Sequence, residues 1–160
     1  MQLRTRSGFS LGVSGVVWDG ERVLLVRRMH EPNAGRWTFP SGWVDADETI
    51  DLAAAREVRE ETGVEAEAIG ALGFRQRVSP GDNNLLVFLL LRPLAGEPVP
   101  DRVEVDAAAF LPVAEALDHP GLIELNKVVL RRLIEEGAAA LRPAPCPPTP
   151  LLPGHYLAFL

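Results

Sequence analysis

Glu57, Glu60 and Glu61 sit in the run Arg56-Glu57-Val58-Arg59-Glu60-Glu61, whose neighbours carry apolar residues at helical spacing. Successive helical residues turn by about 100°, so positions one, four and five share a face. The three carboxylates therefore form one stripe. Like charges at these spacings repel by roughly 0.2–0.5 kcal/mol per pair, and acids near a helix C-terminus oppose its dipole by a further ~0.3–1 kcal/mol each. A hard divalent cation would relieve both effects. Carboxylate oxygens suit Mg²⁺ or Mn²⁺, which otherwise keep water and substrate phosphate oxygens. The chemistry this could support is cation-assisted work on a phosphate-bearing ligand. The competing reading is a solvated acidic face neutralised by Arg56 and Arg59.

A helix must present the stripe. Thr49 is a suitable N-cap, Asp51 complements the positive end of the dipole, and Gly63 suits the left-handed backbone that ends a helix. Leu52, Ala55, Val58 and Thr62 supply a predicted packing face. Upstream, Gly42 is followed after five residues by Glu48, and Glu48 after seven by Arg56-Glu57-Val58-x-Glu60-Glu61-x-Gly63-Val64. This spacing resembles the signature box of the Nudix hydrolases, and all its specified positions are filled. The lead-in Trp37-Thr38-Phe39-Pro40-Ser41-Gly42 resembles the family's Phe-Pro-Gly-Gly, with Ser41 replacing the first glycine. Asp45 for the usual Glu and Asp47 for the usual Gly are further departures.

The resemblance implies an α+β fold, an α/β/α sandwich around a mixed β-sheet, with the box as loop-helix-loop. It implies hydrolysis of a nucleoside diphosphate linked to another moiety, giving a nucleoside monophosphate and a phosphorylated second product. The implied cation ligands are the Ser41 carbonyl, Glu57, Glu60 and Glu61. Arg56 would orient a glutamate with Glu48 as its partner, and Arg28, at a strand end, would reach the substrate phosphates. The general base in such enzymes is either the glutamate at the place of Glu57 or a later acid, for which Glu104 and Asp106 are the candidates. ADP-ribose-cleaving relatives often carry a proline in a Ser-Pro-Gly setting where Ser79-Pro80-Gly81 stands here, and Pro80 would then seat part of such a ligand beside Arg75 and Arg77. ADP-ribose or a nucleotide sugar is therefore favoured. The alternatives are a nucleoside triphosphate or other nucleotide pyrophosphatase and a non-catalytic nucleotide-binding sensor module.

With 160 residues, 47% hydrophobic and 24% charged, the chain suits one well-buried domain. A net charge of -6 argues against a binder of polymeric nucleic acid. It does not argue against a polyphosphate, because a bound metal inverts the local field. Cys146 is the single cysteine, which fits a reducing compartment. The apolar run 85–91 is far short of a membrane span, and the expectation is a cytoplasmic protein. Family tendency and the commonness of twofold assemblies point to a homodimer.

Along the chain, runs 9–17 and 22–28 read as a hairpin about Trp18-Asp19-Gly20-Glu21. Residues 37–39 read as a short strand, and 66–78 as a strand closed by the turn residues 79–83. Residues 85–91, apolar on both faces, read as a central strand ended by Pro93. A strand over 107–113, a short helix around Glu115 and an amphipathic helix within 121–141 follow. The domain is read as 1–141. Residues 142–160 form a proline-rich tail whose apolar tip, Tyr156, Leu157, Phe159 and Leu160, is expected to pack onto this domain or a second copy.

Overall fold

The computed structural model describes residues 8–80, 82–137, 141, 143–144 and 158–159. In chain order its elements are β1 (Phe9–Val17), β2 (Arg22–Arg28), β3 (Trp37–Thr38), β4 (Ser41–Trp43), α1 (Ile50–Thr62), β5 (Glu65–Ser79) and β6 (Asp82–Ala95). Then come β7 (Val105–Pro112), α2 (Val113–Asp118), α3 (Glu124–Glu136) and two-residue strands β8 (Pro143–Ala144) and β9 (Ala158–Phe159). One sheet has the order β4-β1-β6-β5, mixed because β1 runs parallel to β6 while β4 and β5 are antiparallel to their neighbours. A second, antiparallel sheet has the order β3-β2-β7.

Alternation along the strands divides the core into two layers. Leu89 and Leu91 of β6 join Val13, Val17 and Leu24 under α1, whereas Phe88 and Leu90 join Val16, Val23 and Leu25 under α2 and α3. A strand apolar on both faces is the expected signature of a sheet covered on both sides. This is the α/β/α sandwich anticipated from the sequence, with β6 central.

Three local expectations are corrected. Pro93 does not end β6, which runs on to Ala95 with Pro93 opposite Ala66. The pairing of β1 with β6 stops at Leu91, so beyond it β6 has a free edge on that side, where a residue without an N–H is tolerated. Leu52 is 59% exposed, and the buried stripe of α1 is instead Ala53, Ala54, Glu57, Val58, Glu61 and Thr62. The helix is rolled so that two of its glutamates face inward, which turns Leu52 to solvent. The last helix covers only Glu124–Glu136 and is followed by Gly137 at φ 66°.

After α3, Leu141 bridges to Ala71 on β5 through backbone hydrogen bonds of 2.8 and 3.1 Å, and β8 pairs with β9. The expected packing of the tail tip falls on Tyr156, Leu157 and Leu160, which lie outside the described residues, as do the side-chain surroundings of Phe159. No helix among the described residues is long and apolar enough to cross a membrane.

Close approach of α1 to β1 depends on Gly15, where an added Cβ would lie 2.7 Å from the Val58 side chain. Gly15→Ala should therefore destabilise by ~1–3 kcal/mol through overpacking. A urea titration should show a lower midpoint with an unchanged slope.

Candidate active site

The site begins with how α1 is fixed at its ends. Thr49 occupies the N-cap position and its carbonyl accepts from Ala53, but its hydroxyl bonds the Asp51 carboxylate rather than the backbone. Gly63 adopts φ 70° and donates its N–H to the Arg59 carbonyl at 2.8 Å. The second half of the helix is thereby held against β4. There, an ideal Cβ on Gly42 would lie 2.2 Å from the Glu57 carboxyl carbon. The glycine of the box is thus a seat for a carboxylate.

Glu57 and Glu61 are 8% and 1% exposed, while Glu60 is exposed. Burial pushes the Glu61 carboxyl up to about 8, with Arg28 pulling the other way and Glu57 and Glu104 adding to the rise. Burial also raises Glu57, against the pull of Arg56. Two arginines compensate. Arg56 binds Glu48 with both Nε and Nη2, at 3.1 and 2.6 Å, and its Nη1 donates to Glu57 at 2.8 Å and Glu60 at 3.1 Å. Its Nη2 also donates to the Trp43 carbonyl at 2.9 Å. This fork-shaped pairing holds the Glu48 carboxyl below its usual range. Arg56 thus spans three glutamates and a backbone carbonyl.

Arg28 makes the other set. Its Nη1 donates to Glu61 Oε1 at 2.5 Å and to the Ser41 carbonyl at 3.4 Å, and its Nη2 donates to Glu104 at 3.4 Å. The Ser41 N–H donates to the other Glu61 oxygen at 3.3 Å. The two candidates for a later acid are separated. Glu104 joins this cluster, whereas Asp106 is paired with Arg27 at 2.7 Å, and that ion pair holds its carboxyl low. Asp106 is therefore not placed to take a proton at the carboxylate stripe. Pairing of β2 with β7 shifts register between Arg27 and Arg28, and this bulge sends the two adjacent arginines to different acids.

A cleft of about 560 Å³ opens beside Ser41 and Gly42. Arg28, Arg75 and Arg77 all line it, so the end of β2 and a pair of arginines on β5 meet in one cavity. Asn84 accepts from Arg75 at 2.9 Å and donates to the Ser10 hydroxyl at 3.1 Å, which tethers Arg75. Pro80 stands at the β5–β6 turn, outside the residues lining the cleft. Pro80 thus follows the end of β5, past Arg77, and the cleft wall beside the arginines is made by other residues.

Sequence reasoning passed over Trp43, Thr38 and Asn126, which line the same cleft. Asn126 donates to the Thr38 hydroxyl at 2.9 Å and is 4% exposed. Its signal was available: it lies four residues from both Leu122 and Leu130, a polar residue in the apolar stripe of the last helix. Trp43, 61% exposed and directly after Gly42, had no comparable signal.

Residues 8–133 match the NUDIX domain. The chain belongs to this family. Nudix hydrolase 8 of Arabidopsis thaliana is 33% identical over 138 residues, which are 83% of this chain and 37% of that protein. An 8-oxo-(d)GTP phosphatase of Mycolicibacterium smegmatis is 34% identical over 113 residues, 71% of this chain and 34% of that protein. The crystal structure of an ADP-ribose pyrophosphatase from Streptococcus suis superposes with a TM-score of 0.61 at 25% identity, covering 81% of this chain and 93% of that one. The chain spans under two fifths of the length of the two curated relatives.

The donor types of this Nudix domain suit a hard divalent cation: carboxylate and carbonyl oxygens, two of the carboxylates buried where negative charge needs a positive partner. Among the described residues, no three His, Cys, Asp or Glu side chains converge as a cation cluster. Arg56 holds Glu57 and Glu60 while Arg28 holds Glu61.

Two predictions follow from this geometry. Because the folded-state value of Glu61 lies above its ordinary 4.5, the native state holds that proton more tightly than the unfolded chain. In EDTA, stability from this group should be greatest below pH 4.5 and should fall as pH rises through about 8. The raised Glu57 acts in the same direction. Denaturant midpoints against pH should show this decline, and Glu61→Gln should flatten most of it. Separately, Gly42→Ala should displace the Glu57 carboxylate and lower kcat on the order of 10²-fold, the size expected of an ångström misplacement. Its melting temperature should change little, since the clashing atoms end a flexible side chain.

Proposed function

We propose that this domain is a Mg²⁺-dependent pyrophosphohydrolase acting on a nucleoside diphosphate linked to a second moiety, with ADP-ribose or a nucleotide sugar favoured. The observation that carries this reading is the cleft lined by Arg28, Arg75 and Arg77, which opens beside Ser41 and Gly42, the two residues against which the buried carboxylates of Glu61 and Glu57 lie. A diphosphate with a group at each end suits charge spread along a cavity better than charge gathered at one point. The ADP-ribose pyrophosphatase among the structural relatives supports the same class.

Ser41, through its carbonyl, and Glu57, Glu60 and Glu61 would hold the cation. When bound, it neutralises the anhydride oxygens and acidifies water. The remaining roles belong to the chain. Arg75, tethered by Asn84, and Arg77 would bind the phosphates, and Trp43 offers a flat apolar face to a base or sugar. Water adds across the anhydride: a new P–O bond forms, the bridging P–O bond breaks, and both products leave as phosphate monoesters. Glu57, raised by burial, and Glu104, beside Arg28, are the two carboxylates able to take the proton from the attacking water. Arg56 fixes Glu57, and Glu48 fixes Arg56.

A second substrate reading, a nucleoside triphosphate, is supported by the mycobacterial 8-oxo-(d)GTP phosphatase relative. The non-catalytic sensor would keep the cleft and lose turnover. A panel of ADP-ribose, nucleotide sugars, nucleoside triphosphates and CDP-alcohols with Mg²⁺, read as phosphate-ester release, separates the three. ADP-ribose or a nucleotide sugar should have the highest kcat/KM, and Glu61→Gln should abolish most turnover on it. A triphosphate or CDP-alcohol at the top of the panel overturns the substrate class, and no cation-dependent release on any member favours the sensor.

A further inference from the structure

Arg28 occupies an unusual position for a phosphate-binding arginine. It lines the cleft, yet its guanidinium faces the Ser41 carbonyl, Glu61 and Glu104. Two of those three partners are the oxygens that, on the reading above, would hold the divalent cation. A guanidinium and a divalent cation compete for the same few oxygens, because their own repulsion at such separations is large in a partly dry site. Arg56 also touches cation donors, its Nη1 donating to Glu57 and Glu60, but its Nε and Nη2 stay anchored on Glu48 and the Trp43 carbonyl. Among the described residues, the only guanidinium partner of Arg28 outside the cation donors is Glu104 at 3.4 Å.

We propose that Arg28 is an internal rival of the divalent cation: the two take the Glu61 and Ser41 oxygens in turn, so cation loading releases Arg28 to the substrate phosphates. The inference rests on the proposed cation-dependent reading and deepens it. Arg28 sits at the end of β2, directly after the bulge that parts it from Arg27, and its long side chain already borders the cavity that Arg75 and Arg77 share. Releasing it requires rotation about side-chain bonds with no rearrangement of the sheet. Cation and phosphate binding then become linked. Whichever binds first removes part of the opposition to the other, and the linkage is reciprocal. Arg28 is thus a positioning residue toward the cation and, once released, a binding residue toward the phosphates.

The test is Mn²⁺ affinity, read by electron paramagnetic resonance without turnover, for the parent, Arg28→Gln, Arg28→Lys and Glu61→Gln. Without nucleotide, Arg28→Gln should bind Mn²⁺ about tenfold more tightly than the parent, as removal of a close competing charge predicts. Arg28→Lys keeps the charge but not the fork that spans Ser41, Glu61 and Glu104, so it should fall between them. If the glutamine variant fails to fold, the lysine variant decides the matter by the same ordering. Adding the non-cleavable methylene analogue of ADP should tighten Mn²⁺ binding by a larger factor in the parent than in Arg28→Gln, which keeps only the gain from phosphate oxygens on the cation; an equal factor in both overturns the coupling through Arg28. Mn²⁺ binding in the Arg28 variants that equals or falls below that of the parent overturns the competition. Glu61→Gln distinguishes the two levels of failure. If it loses Mn²⁺ while the Arg28 variants gain nothing, only the competition is wrong; if it binds Mn²⁺ like the parent, the cation site itself is misplaced.

Discussion

Withdrawing two carboxylates from water on the same helix is the constraint to which the rest of this domain answers. Glu57 and Glu61 lie on the inward side of α1, in a place where an ionised group is stable only with a positive or hydrogen-bonding partner. Arg56 supplies one partner from the same helix, fixed in turn by Glu48 and the Trp43 carbonyl. Arg28 supplies the other from the end of β2. The glycine at position 42 leaves room for the Glu57 carboxylate, and the serine before it adds an N–H to Glu61. Each of these features is hard to account for if the acids were merely solvated.

The same constraint shapes the scaffold. A helix presenting two carboxylates to its packing side has less apolar surface to offer, and α1 makes up the difference with Ala53 and Ala54 laid close on the sheet, over Gly15. The apolar weight falls on the strands, above all on β6, which feeds both layers of the core. Polar groups thus concentrate at the β4 edge of the sheet, where the cleft opens. Arg75 and Arg77 approach it from β5, across the sheet, with Asn84 and Ser10 holding Arg75 in place.

Membership of the Nudix family accounts for the loop-helix-loop and for the fold around it. Trp43, Thr38, Asn126 and the three arginines that line the cleft come from five different elements.

What the sequence determined by itself was local. Helical spacing put three acids on one helix, Gly63 ended it, and the spacing from Gly42 to Val64 named the family, because periodicity and turn chemistry act over a few residues. Apolar character on both faces of 85–91 identified the central strand for the same reason. Tertiary structure decided what depends on pairing between distant segments. Arg27 meets Asp106 across 79 positions and Arg28 meets Glu104 across 76, and a one-residue bulge in β2–β7 assigns each partner. No local pattern encodes such a register shift. The roll of α1 that exposes Leu52, the exclusion of Pro80 from the cleft and the arrival of Asn126 at its floor were likewise fixed by packing across the sheets, where burial of many side chains at once outweighs the preference of any one.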